Sequence, residues 1–456
     1  GRVRPGFLFC AISGAKADGH RYLADAARGG AAALVVAESY AGPLPDLPAI
    51  RVRDCYFAWA LVCEAWFGFP GRSLRVHAAT GTNGKTSCVC FLRHLLAADS
   101  ARRIGVVSTV WDDDCASIAP SEHTTPDAFA LQSLFSRMRK NGATDAVMEC
   151  SSHGLSQRRS GGMRFASAIF TNLTGDHLDY HGTMERYFQA KKLLFAEMLA
   201  DGAPAAVNCD DPYGARLIAE LPNARLLPVS FSGRDAFCSL TRLEMRPDRS
   251  ELSFLLDGDE ISLELPLPGA FNAHDFLQAF VVADALGVSR PLLMNAVRTV
   301  PHVPGRLQPV PLKCGATAFV DYAHTDDALL RVLTSLRRIL PPGGRILTVF
   351  GCGGDRDRTK RPRMGAVAAA HSDVLILTSD NPRSEDPMAI LRDIESGVPT
   401  NVPRMIVPDR AEAIARAVDS ARCGDFILVA GKGHEAVQEI RGRRLPFRDL
   451  DHLIGR

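Results

Sequence analysis

Residues 75–79 form a short apolar run that opens directly into Gly81-Thr82-Asn83-Gly84-Lys85-Thr86-Ser87, and a helix is predicted from residue 85 onward. Strand, glycine-rich loop and helix in that order make a phosphate-binding loop. Backbone N–H groups of 81–85 and the positive end of the helix can face an anion. Lys85 supplies a cation for the terminal phosphates, and the Thr86 hydroxyl suits Mg2+. The general pattern has glycine where Ala79 stands, so the loop is a variant. It constrains the fold as well as the chemistry, because its strand belongs in a mostly parallel sheet with helices on both faces. By itself it speaks for nucleoside triphosphate binding and leaves the acceptor open. A kinase, an ATPase or a ligase can carry it.

The rest of the chain continues this style. Apolar runs at 104–108, 145–149 and 167–171 alternate with helical patterns at 127–140 and 184–199, while 241–265 reads as an antiparallel addition. Strands at 316–321, 345–350, 373–378 and 425–430, with helices at 326–339, 361–370 and 411–420, form another unit. The start reads as strand 7–11, helix 19–28 and strand 32–37. Turn formers at 69–73 and the segment 301–306 separate the units. At 456 residues the chain exceeds one ordinary core. The expectation is an α/β protein of three domains: a small N-terminal α/β domain (1–70), a central P-loop mononucleotide-binding domain with a mostly parallel sheet (71–303), and a Rossmann-like C-terminal domain (304–456).

A formal net charge of +2 leaves anion binding to local clusters and argues against nucleic acid or an anionic membrane as partner. The basic residues Arg356, Arg358, Lys360, Arg361 and Arg363 are interleaved with Asp355 and Asp357 and lack aromatics, which fits an anionic metabolite or a solvated loop better than a nucleic acid. No leader and no bilayer-length apolar run is evident. Twelve cysteines without CxxC spacing fit reduced thiols. A cytoplasmic monomer is expected.

Thr86, Glu149 and His177 each sit at or just beyond an expected strand end, where parallel sheets place ligands, and form a natural metal group. Mg2+ prefers oxygen donors, so His177 is the odd member. The run Asp176-His177-Leu178-Asp179-Tyr180-His181 also admits a zinc site by spacing, but a phosphate loop gives zinc no role. Thr125-Pro126-Asp127 suits a helix start as well as a carboxylate contact.

Motifs then appear in a fixed order: GTNGKT at 81–86, HTTPD at 123–127, ECSSHGL at 149–155, TNLTGDHLDYHG at 171–182, GAFN at 269–272, PGR at 304–306, DYAHT at 321–325, GCGGDRD at 351–357, DNPR at 380–383 and GKGHE at 431–435. Together they resemble the Mur ligase family over essentially the whole chain. They look like the member that adds the third residue of the stem peptide.

That resemblance implies an ATP- and Mg2+-dependent ligase. Its substrates would be UDP-N-acetylmuramoyl-L-alanyl-D-glutamate and meso-diaminopimelate. The γ-carboxylate of the D-glutamate would become an acyl phosphate, which the incoming amine attacks. Lys85, Glu149, His177 and Lys191 would carry the catalysis, with Thr86, Glu149, His177 and a carbamylated Lys191 on the metal. Bottom-up, Lys191 reads more readily as a solvated helix lysine beside Lys192, and its match to the family's context reverses that. Nucleotide contacts would come from Gly81, Thr82, Asn83, Gly84, Lys85, Thr86, Ser87, Asn272, Arg306, Asp321 and His324. Ala15, Lys16 and Ala17 would meet the UDP moiety. Thr124, Thr125, Ser151, Gln157 and Arg159 would meet the muramoyl peptide. Arg361, Asp380, Asn381, Pro382, Arg383, Gly431 and Glu435 would hold the amino acid, and the DNPR form is the one associated with diaminopimelate. Remaining alternatives are L-lysine or another amino acid as substrate, a folylpolyglutamate synthase-like ligase, and a non-catalytic nucleotide-binding regulator.

Overall fold

The computed structural model describes residues 3–14 and 17–455. Its strands fall into three main sheets. Strands Leu8–Cys10, Ala33–Ala37 and Ala49–Val52 make a small parallel sheet. Helix Cys55–Trp66, capped by Asp54, leads from it toward the left-handed Phe69 and the central unit. The predicted strands near the start are present, but strand Ala49–Val52 and this helix escaped sequence reading. The strand is short, and the helix mixes apolar residues around its whole circumference, so neither shows a clear period.

The large sheet has eleven strands. Its middle is parallel, with Arg75–Thr80 between Asp145–Glu149 and Phe165–Phe170, followed outward by Ile104–Val107 on one side and Ala205–Asn208 on the other. The antiparallel addition consists of Cys238–Met245, Ser250–Leu256 and Asp259–Leu265 at one edge. Apolar clusters cover both faces, as a parallel sheet requires. Helix Ala270–Ala285 packs against helix Lys85–Leu96 and is buried on nearly every side. That burial erases the amphipathic stripe by which a helix is recognised in sequence.

The third sheet runs Gln308–Pro311, Thr317–Asp321, Phe426–Ala430, Ile346–Phe350, Val374–Leu377 and Arg404–Ile406, parallel except for its first strand. Arg410, in helix Arg410–Ser420, is fully buried beneath the carboxyl ends of these strands. It donates to both oxygens of the equally buried Asp449 (2.6 and 2.7 Å) and to the carbonyls of Ser379 and Ala430. No helix among the described residues is long and apolar enough to cross a membrane. All twelve cysteines are free thiols.

Removing one partner of a buried ion pair leaves an uncompensated charge, so Asp449→Ala is expected to cost about 3–5 kcal/mol. A chemical-denaturation midpoint equal to that of the parent would show that the pair does not hold the third unit together.

Candidate functional site

Three neighbouring strands of the central sheet end at one place. Arg75–Thr80 delivers the phosphate loop, Asp145–Glu149 ends on Glu149, and Phe165–Phe170 runs into Thr171 and Asn172. Gly84 holds φ +88°, and a Cβ there would lie 2.4 Å from Asp275 Oδ1. At Gly81 a Cβ would stand 1.9 Å from Thr171 Oγ1. The loop is braced from its neighbour. Thr82 N donates to Asn172 O (2.9 Å), Asn83 N to Asn172 Oδ1 (3.1 Å) and Thr174 N to Thr82 Oγ1 (3.0 Å). Two of the donors expected to face phosphate are thus engaged by Asn172, which leaves the first N–H groups of helix Lys85–Leu96 for an anion.

Two lysines converge on this loop. Lys85 Nζ donates to the carbonyls of Gly81 (3.0 Å) and Thr82 (2.8 Å), and Lys191 Nζ donates to the same Gly81 carbonyl at 2.8 Å. Lys191 is 1% exposed and lies over the Tyr187 ring, so it is no solvated helix lysine. Burial pulls both amines below their ordinary pKa, and Lys85 pushes Lys191 further down. Tyr187, one helical turn before Lys191, carried no sequence signal beyond that spacing.

Glu149 is buried. Its Oε1 accepts from Thr109 N at 2.7 Å, and Oε2 lies 3.0 Å from Thr109 Oγ1, which in turn reaches Thr124 Oγ1 at 3.1 Å. Thr109 was missed, although it follows strand Ile104–Val107 at the sheet's carboxyl edge. His177 sits at φ +54° with its imidazole edge-on to His153, while His181 turns away to Ser152 Oγ at 2.9 Å. Among the described residues no three His, Cys, Asp or Glu side chains converge as a metal cage. The oxygens of Thr86 and Glu149 suit Mg2+, whereas the amine of Lys191 does not, and only its carbamate would.

The third unit faces this centre through the hinge. Arg306 Nη2 is 3.1 Å from Thr86 Oγ1, and its guanidinium lies over the Tyr322 ring. Asp321 is buried and accepts from Leu307 N (2.6 Å) and Ala323 N (2.8 Å), fixing the hinge's left-handed Leu307. Its carboxylate still borders the cleft, as does His324, whose ring packs on Tyr322. Asn272 is buried and bonds Pro268 O within its own helix start. The cleft side of the helix carries His274, stacked on Phe231, and Asp275, whose carboxyl burial pushes up to about 7.

On the substrate side, Thr125 Oγ1 donates to Glu149 O and accepts from Ser151 N, and Ser151 Oγ caps Gly154 N. Both hydroxyls therefore shape the strand end. Arg159 grips the Thr125 carbonyl and Gln157 Oε1, and Gln157 Nε2 reaches Tyr180 Oη at 3.2 Å. Ala17 is exposed, whereas Ala15 and Lys16 lie outside the described residues.

In the third unit, Arg361 is fully buried; its Nη1 and Nη2 pair with Glu385 and Asp393, and its Nε has no hydrogen-bond partner among the described residues. Arg383 is different. Held at φ +52°, it donates to Gly354 O at 2.7 Å and lies 3.5 Å from Glu439, with its side chain 24% exposed. Asn381 Nδ2 binds Glu435 Oε2 (2.8 Å), and Lys432 Nζ binds both Asn381 Oδ1 (3.0 Å) and Glu435 Oε2 (2.8 Å). Glu435 keeps its second oxygen. Lys432 was visible inside GKGHE but unassigned. Gly431 leaves room for the Asp380 carboxylate, which a Cβ would meet at 2.5 Å, and Pro382 O packs against Gly354.

Comparison with known proteins places this geometry. Residues 79–283 match the Mur ligase middle domain, and 305–433 match the Mur ligase, glutamate ligase domain. The UDP-N-acetylmuramoyl-L-alanyl-D-glutamate--2,6-diaminopimelate ligase of Chlorobaculum tepidum is 39% identical over 464 residues, covering 99% of this chain and 90% of that one. Its namesake in Gloeobacter violaceus is 40% identical over 452 residues, covering 99% and 91%. A solved structure of a ligase with that name aligns with TM-score 0.69 and 32% identity, covering 99% of this chain and 92% of that chain.

Gly84→Ala is expected to weaken nucleotide binding by at least about tenfold, because the left-handed backbone alone costs ~1–2 kcal/mol for an L-residue and the Cβ strikes Asp275. Calorimetric titration with ADP checks this, and unchanged affinity would remove the loop from the nucleotide site.

Proposed function

Because the chain belongs to the Mur ligase family, we propose that it is the ATP-dependent ligase that joins meso-diaminopimelate to UDP-N-acetylmuramoyl-L-alanyl-D-glutamate in peptidoglycan precursor synthesis. One observation carries the reading. Two lysines, Lys191 fully and Lys85 partly buried, crowd the phosphate loop, and in the third unit a partly buried arginine, Arg383, and a carboxylate, Glu435, stand ready for a zwitterion.

The chemistry follows from charge. Transferring the terminal phosphoryl group of ATP to the D-glutamate γ-carboxylate brings anions together. Lys85 and the helix N-terminus hold the phosphates, and Arg306 adds a third cation when the hinge closes. Mg2+, bound through Thr86 and Glu149 with His177 at its flank, would neutralise phosphate charge. The amine of the incoming amino acid then attacks the acyl phosphate carbonyl. The tetrahedral intermediate collapses to the amide, and phosphate and ADP leave. Burial pulls the Lys191 amine well below its ordinary pKa, which favours the neutral form that adds carbon dioxide. A carbamate there replaces a cation by an oxygen donor and lifts the repulsion with Lys85.

Arg383 meets the distal carboxylate that diaminopimelate has and lysine lacks, and the free oxygen of Glu435 receives an ammonium group. The first unit (1–70) takes the UDP-muramoyl part, 71–303 the ATP, and 304–456 the amino acid. The protein works as a cytoplasmic monomer on small molecules, without a nucleic acid or membrane partner.

ADP release should require both the UDP-linked dipeptide and an amine, with L-lysine at least about a hundredfold poorer than meso-diaminopimelate in kcat/KM. An amino-acid panel read by ADP formation tests this, and equal use of lysine would overturn the diaminopimelate assignment. Lys191→Ala should lose most activity and regain part of it with added short carboxylic acids. Full activity without them would show that no carbamate is needed.

A further inference from the structure

The third unit touches the phosphate-binding machinery through a side chain that no motif singled out. Asp327 Oδ2 lies 3.3 Å from Asn83 Nδ2, in the phosphate loop, and 3.3 Å from Thr174 Oγ1. The same oxygen takes the guanidinium of Arg331, one turn along the helix, at 3.0 Å. The two central partners are not independent. Thr174 N donates to Thr82 Oγ1, and Asn172 carries the N–H groups of Thr82 and Asn83, so loops 81–84 and 171–174 form one braced body. Asp327 therefore docks on both loops at once. The second of these loops leads directly into Asp176 and His177.

The side of the hinge on which the contact is made gives it weight. Arg306 also reaches the phosphate loop, but it belongs to the linker. Asp327 sits in the first turn of helix Asp326–Ile339, which Thr325 caps and which buries Leu329, Leu333 and Leu336 against the third sheet. That helix cannot move without its unit, so a bond from Asp327 sets the orientation of the whole amino-acid side. Arg331 borders the nucleotide cleft, and pairing with Asp327 fixes the direction of its guanidinium there.

We propose that Asp327 is a positioning residue for closure, docking the third unit onto the two braced loops so that the bound amine is presented to the activated carboxyl. The proposal rests on the ligase reading for its last clause only, since the docking itself needs nucleotide and no turnover. Asp327 acts through Asn83 and Thr174 and touches neither reactant. Its side chain is about one-third exposed (36%), so its replacement leaves the core intact.

The experiment compares the full-length parent, Asp327→Ala, Thr174→Val and the double variant. Small-angle scattering is recorded with and without a non-hydrolysable ATP analogue at saturation. Steady-state ADP release is measured with diaminopimelate and the UDP-linked dipeptide. The parent should compact with the analogue and Asp327→Ala should not, while its thermal unfolding stays at the parental value. In turnover, Asp327→Ala should lose about tenfold or more in kcat with KM for ATP little changed, as expected when hydrogen bonds to a charged group are removed from the closed state. The double variant should be no worse than Asp327→Ala alone, because Thr174 has then already lost its partner. Compaction of Asp327→Ala equal to that of the parent overturns the proposal, as do parental kcat or losses that multiply in the double variant. If the parent compacts, the variant does not, and no amine supports ADP release by the parent, docking stands and the ligase reading falls.

Discussion

Two ammonium groups share one backbone carbonyl, and much of the active centre follows from that. Lys85 and Lys191 both donate to Gly81 O, Lys191 from a fully buried position and Lys85 from a partly buried one, with the Tyr187 ring, the loop carbonyls and the Glu149 and Asp176 carboxylates nearby to offset their charge. Buried like charges without a partner are costly, and a protein relieves them by shifting protons or by taking up anions. Burial lowers the pKa of both amines here, which is the first form of relief. Polyphosphate beside Lys85 supplies the second. The carbamate proposed for Lys191 would supply a third, turning repulsion into an oxygen ligand. The crowding that destabilises the empty loop therefore strengthens its grip on substrate, provided the loop cannot relax. The brace from Asn172 and Thr174 keeps it in place.

The same logic extends to the hinge. Asp321 is buried, and its carboxyl is raised by burial against the pull of Arg306. It holds the backbone of Leu307 and Ala323, and so orients Arg306 toward Thr86. A cation thus stands at the phosphate-loop hydroxyl, where it would add positive charge beside bound phosphate.

Sequence reading succeeded where a local pattern has one physical cause. The strand, loop and helix at 75–96 follow from apolar run, glycines and lysine, and the structure reproduces them residue for residue within the usual end effects. The α/β class and the antiparallel edge were legible for the same reason. Legibility failed where tertiary burial overrides the local pattern. Helix Ala270–Ala285 lost its amphipathic stripe to burial, and with it the information that His274 and Asp275 face the cleft. Thr109, Tyr187 and Asp327 were invisible because their importance lies in partners 40, 105 and 153 residues away or over a neighbouring lysine, not in their own neighbourhood.

The two arginines of the amino-acid side show why a motif match needs the structure beside it. Arg361 and Arg383 both occupy positions that the resemblance ties to the incoming amino acid, and in sequence both are basic residues near glycine-rich turns. Their surroundings separate them. Arg361 pairs with Glu385 and Asp393 and so ties the segment around 385 to helix Lys360–His371, with its Nε left unpaired. Arg383 has one carbonyl bond and one distant carboxylate, which leaves much of its fork unmet at 24% exposure. A guanidinium left so can take a planar anion, and under the proposed function a second carboxylate would answer it where an ammonium cannot. Discrimination would then arise from the penalty on the wrong ligand as much as from contacts to the right one.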